Sequence, residues 1–145
     1  MAILLRTIGA IALAMIVGFA LVVGVELFSE VVHPFPAGVE KTEAEICRHV
    51  ERYPAWVLAV AAPMWGATAL ASTWVAGRLG NRGAALFVGL LLFAALALNL
   101  SMLPYPIWFK AACLILIPLA VAAGVAWSKG RGPTAVATAT APPIT

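Results

Sequence analysis

The chain has 145 residues, 63% of them hydrophobic and only 10% charged, with a formal net charge of +3. About a quarter of the residues of a soluble domain are charged, so this composition excludes an ordinary water-soluble globule and makes lipid the solvent for most of the chain. So modest a charge gives no ground for a nucleic-acid partner, and none is expected.

A hydrocarbon core about 30 Å thick needs roughly 20 helical residues. Four stretches supply them, and the fold expected is an all-α, four-helix transmembrane bundle. The first runs from about 5 to 28 and is able to continue to His33, where Pro34 discourages further α conformation. Arg6 before an apolar run imitates a signal peptide, but the run exceeds the roughly 7–15 residues of a signal core and no A-x-A-like site follows before Glu26, so a retained anchor is expected.

The loop from 29 to 53 has structure of its own. Thr42-Glu43-Ala44-Glu45 reads as a capping box, with the Thr42 hydroxyl accepting from the Glu45 amide and the Glu45 side chain reaching back. The helix it opens places Ile46, Cys47, Val50 and Tyr53 on one face and charged groups on the rest, a pattern suited to lying on the membrane surface or to capping the bundle. The second span follows at about 54–76, opened by Pro54. The third, at about 83–103, is stopped by Pro104 and Pro106, and the fourth covers about 107–127. The tail from 128 to 145 is small, Pro-containing and non-periodic, and is expected to be disordered.

Tyr53, Trp56, Tyr105 and Trp108 mark one membrane interface; Trp74 and Trp127 mark the other. Arg6, Arg78, Arg82, Lys129 and Arg131 gather at one end with no acid among them. The positive-inside rule then makes both termini cytoplasmic in a multi-pass protein of the cell inner membrane, with the loop outside. Tyr53-Pro54-Ala55-Trp56 and Tyr105-Pro106-Ile107-Trp108 open the second and fourth spans alike, which fits either a duplicated hairpin or two independent interfacial helix starts.

All the acids of the chain (Glu26, Glu30, Glu40, Glu43, Glu45, Glu51) and both histidines (His33, His49) lie between Glu26 and Tyr53. Glu26, Glu30 and His33, at i, i+4 and i+7, share one helix face within about 60°. Glu26 precedes the end of its span and needs a partner there. Lys110 is the partner expected, with Asn99 and Ser101 as hydrogen-bond donors; the alternative is a carboxylate poised for proton or cation binding, with His33 as relay. Glu30 and His33 have Glu-x-x-His spacing, and with Glu45 and His49 they are candidate ligands for one divalent metal. No other cofactor is expected. Cys47 and Cys113 are either a disulfide between the loop helix and the fourth span or two free thiols. Small residues recur every four positions at Ala10, Ala14 and Gly18, at Ala67 and Ala71, and at Ala120 and Gly124, permitting close helix approach.

The stretches Val25-Glu26-Leu27-Phe28 and Val32-His33-Pro34-Phe35-Pro36-Ala37-Gly38, with the late Pro106-Ile107-Trp108-Phe109, resemble a group of small bacterial four-span membrane proteins. These share a Glu near the end of span one and a Pro-x-Pro-x-Gly outer loop; the resemblance implies the topology and no activity. Four-span quinone-linked thiol oxidoreductases are of similar size but need paired cysteines in the outer loops, which this chain lacks.

Two functions follow from the sequence. The first is a non-enzymatic bundle that self-associates or packs with a membrane partner through its acidic loop. The second is a small carrier or metal- or proton-binding protein built on Glu26, Glu30 and His33. An enzyme comes third, since neither a nucleophile with its base nor a cofactor motif is present.

Overall fold

A computed structural model, which describes residues 1–128, has five α-helices and no strand among those residues. They are α1 (Ala2–Val32), α2 (Glu43–Glu51), α3 (Ala55–Leu79), α4 (Arg82–Met102) and α5 (Ile107–Ser128). All but α2 are long and apolar enough to cross a membrane, and the chain reads as a multi-pass membrane protein. The expected tail lies, from residue 129 on, outside the described residues.

The first helix is longer than its apolar stretch. At 31 residues it carries Glu26 and Glu30 without a break and ends at His33, whose amide donates to the Ser29 carbonyl at 2.8 Å. Pro34 fixes that end. The loop then turns at Gly38, whose φ of +79° is comfortable only for glycine. Thr42 caps α2, its hydroxyl accepting from the Glu45 amide at 3.4 Å, but only this half of the capping box forms. The Glu45 carboxylate turns away to Arg48, 3.1 Å distant, and the Thr42 amide donates to the Glu40 carbonyl instead.

In the bundle α3 packs against α1, α4 and α5, and α4 against α1 and α5, whereas α1 and α5 have no close backbone approach. The four spans therefore stand in the order α1, α3, α5, α4, with α3 and α4 across the short diagonal. Ala10, Ala14 and Gly18 are buried, and a Cβ on Gly18 would lie 2.8 Å from the Ser72 hydroxyl. Ala120 and Gly124 serve α5 in the same way, since a Cβ on Gly124 would meet the Thr73 hydroxyl and lie 2.7 Å from the Leu70 carbonyl. The stripe expected at Ala67 and Ala71 is not the packing face of α3. Ala67 is exposed, and Gly66, Ala69, Thr73 and Ala76 are buried instead, because α3 has neighbours on three sides and turns its smallest residues to all of them.

Thr68 and Thr73 donate to the carbonyls of Met64 and Ala69, one turn back, which satisfies them without a partner helix. Two apolar clusters result. One, around Ala14, Ala76, Ala85 and Val88, lies toward the basic end. The other, around Val25, Leu58, Phe109 and Ile117, lies toward the end capped by α2.

Candidate functional site

The capped end brings together residues from α1, α2 and both Tyr-Pro-x-Trp starts. Pro54 and Pro106 precede α3 and α5 and offer their carbonyls to amides of the first turn, those of Val57 and Phe109. This places Tyr53 and Tyr105 at the same sequence position relative to each helix entry. Both face Glu26. With Ser29, Trp65 and Phe109 they wall a crevice of about 30 Å³, enough for a water molecule or a group of similar size.

Burial pushes the Tyr105 phenol up to about 12, with the negative Glu26 adding to the effect. Tyr53 is raised as well, first by burial and then by Glu26 and Glu30, while its hydrogen-bonding neighbour Ser29 pulls the other way. Both phenols thus stay protonated well above neutral pH and remain donors toward a carboxylate or acceptors for a cation.

The partners expected for Glu26 are not there. No ion pair joins it to Lys110 among the described residues, where Arg48–Glu45 is the one found within 4.0 Å. Lys110 and Asn99 do not line the crevice, and the Ser101 hydroxyl is spent on the Leu98 carbonyl of its own turn. The reason is azimuth. Lys110 sits at the right depth, but α5 stands diagonal to α1, and Phe109 is the residue of that turn that faces inward.

Above the crevice, α2 docks through aromatic rings. His33 and His49 stack with centroids 4.5 Å apart and planes 17° from parallel. Tyr53 tilts against both, and Phe35, under Lys41, packs against His49. The Nε2 atom of His33 is buried without a hydrogen-bond partner in the protein. Burial lowers the His49 pKa, and the neighbouring His33 lowers it further; the His33 backbone and Glu30 oppose this, and Lys41 adds a small push downward. Beside the stack opens a second pocket of about 120 Å³, lined by His33, Phe35, Glu45, Arg48, His49 and Arg52.

The four candidate metal ligands are only partly assembled. His33 and His49 meet and Glu45 lines the same pocket, but Glu30 points to the exposed surface and Glu45 is held by Arg48. Ring lone pairs lie in the ring planes, so two nearly parallel stacked imidazoles direct them side by side rather than at one point. Among the described residues no group of three or more His, Cys, Asp and Glu side chains is placed to hold a metal ion. Cys47 is half-buried on α2 and Cys113 fully buried in α5, and both are free thiols, so the staple between them is not made.

Tyr53, Tyr105, Ser29 and Trp65 were not expected at the site. The two tyrosines carried a signal, the repeated Tyr-Pro-x-Trp, which the belt rule absorbed as interface marking. Trp65 and Ser29 carried none. No family model matches the chain, and no curated protein or solved structure is similar to it.

Proposed function

We propose that the protein is a small membrane protein that binds a proton or a small cation at the Glu26 crevice. One observation carries this reading: Glu26 lines a crevice with two protonated phenols and a serine hydroxyl, and no basic side chain pairs with it among the described residues. A carboxylate at this depth is costly to keep charged, and a bound proton or cation offsets that cost. The small residues Ala10, Ala14, Gly18, Ala120 and Gly124 are spent on packing inside the bundle and so do not argue for self-association. The test is proton release or cation binding by the detergent-solubilised chain, wild type against Glu26→Gln. A wild-type signal that disappears in the variant supports the reading; identical behaviour of the two overturns it.

Association with a membrane partner through the cap is the second reading, favoured by the exposed acids Glu40, Glu43 and Glu51, none of them in an ion pair among the described residues. Charge reversal of all three should remove any partner that co-purifies in native mass spectrometry. A partner retained through that reversal counts against the acidic surface.

A further inference from the structure

Resting on that reading of Glu26, we infer that the cation taken by the crevice is an alkylammonium group: the primary ammonium of an aminophospholipid headgroup or of a free amine. The walls supply what such a group needs and lack what a metal ion needs. Hard metal ions bind through many oxygens, about six to eight for calcium and six for magnesium. Here the polar atoms are one carboxylate, two phenols and one hydroxyl, from Glu26, Tyr53, Tyr105 and Ser29. The remaining surface is hydrocarbon and aromatic, including Trp65 and Phe109.

An ammonium has three N–H donors, and the acceptors present match them: Glu26 for the charge, with Ser29 and a phenol beside it. The ring faces of tyrosine and tryptophan attract the same cation through their quadrupoles, and the hydrocarbon walls accept its methylene. Size selects further. Free space of about 30 Å³ suits a small NH₃⁺ head, whereas a quaternary ammonium is bulkier and has no N–H to donate, so it would leave the acceptors unpaired.

Position says where the amine comes from. Glu26 lines the crevice and also keeps exposed surface, so the site is reachable from outside the bundle, near the belt residues Tyr53, Trp56, Tyr105 and Trp108. That is the depth of headgroups, where aromatic belts sit.

The test uses the full chain in nanodiscs of phosphatidylcholine, titrated calorimetrically with ethylammonium, tetramethylammonium and sodium chlorides, and by native mass spectrometry in discs where a tenth of the lipid is phosphatidylethanolamine. Saturable ethylammonium binding is expected, at least about tenfold tighter than tetramethylammonium or sodium, and weakened at least about tenfold in Glu26→Gln, as loss of a charged hydrogen bond implies. Tyr105→Phe, which keeps the ring and the packing, should weaken it severalfold; it decides the matter should Glu26→Gln fail to fold. Selective retention of phosphatidylethanolamine by the wild type identifies the lipid as the source, and ethylammonium binding without that retention identifies a free amine. Sodium binding as tightly as ethylammonium overturns the ammonium inference and leaves the cation reading standing. Glu26-dependent proton release with no binding of either cation does the same, and the absence of all three overturns both.

Discussion

Toward the basic end the helices meet through atoms that leave no room for a methyl group. A Cβ on Gly89 would run into Val121, one on Gly77 into Ser128, and one on Gly124 into Thr73 and the Leu70 carbonyl. Toward the capped end rings enter the packing, and Tyr53, Trp65, Tyr105 and Phe109 line a crevice between the helices. Small residues let backbones touch and fix their spacing, whereas large rings fill a wider gap and leave spaces at their edges. One half of the bundle sets the geometry, and the other uses it.

The sharpest way to break this contrast is Gly124→Ala. Its new methyl would press on a backbone carbonyl that cannot swing aside, so the variant should lose about 1–3 kcal/mol in reversible unfolding from mixed micelles. Tyr105→Phe, in the wide half, removes a hydroxyl and no packing and should cost under about 1 kcal/mol in the same assay. Equal losses would erase the distinction between the halves.

Alkaline titration probes the crevice itself. The chain has only two tyrosines, so tyrosinate absorbance reports both sites at once. Free tyrosine is half-ionised near pH 10. The folded protein should show little absorbance there, with Tyr105 not ionising until about pH 12. The sign follows from linkage: a phenol whose pKa is raised by folding contributes stability in full below pH 10, and that contribution is lost as the pH climbs toward 12. Ionisation of both tyrosines near pH 10 would mean that the crevice is filled with bulk water.

Acid acts on the cap with the opposite sign. Folding lowers the His49 pKa, so the stability it contributes is present above its ordinary value of about 6.5 and declines as the pH falls through the folded pKa. Hydrogen exchange in α2, taken relative to the intrinsic rate of unprotected amides at each pH, should accelerate as the pH falls below about 6.5 while that of α3 hardly changes. Acceleration in both helices alike would mean that the cap and the bundle open as one unit. The smallest effect belongs to Gly24→Ala. A Cβ there meets nothing within 4 Å, so helix propensity alone should raise stability, by at most about 1 kcal/mol.

Much of this arrangement could be read before the structure. The spans were legible because an apolar run of membrane length has little choice, and α2 because Thr42 and Glu45 announce its start. The Glu26 site was legible as a problem and not as a solution. An unpaired carboxylate near the end of a span demands a neighbour, and sequence gives the depth of each candidate along the membrane normal but not its direction around its helix. Lys110 satisfied the first condition and failed the second. Tyr105 satisfied both, yet a tyrosine at an interface has a sufficient reason to be there and attracts no further question. The histidines came together through the docking of α2 on a loop rather than through their spacing on α1, so their pairing was legible only as two candidates on separate helices and the stacked geometry was not.

The 31 residues of α1 reach about 46 Å, against about 30 Å of hydrocarbon. Nothing interrupts the helix between its middle and His33, so whatever depth the bilayer assigns to its apolar part is transmitted rigidly to Glu26, two turns below that end. A thicker membrane draws the carboxylate toward hydrocarbon and favours its neutral or cation-bound form, whereas a thinner one leaves it in water and charged. On the reading proposed for Glu26, the affinity of the crevice is thereby tied to bilayer thickness, and α1 acts as the gauge.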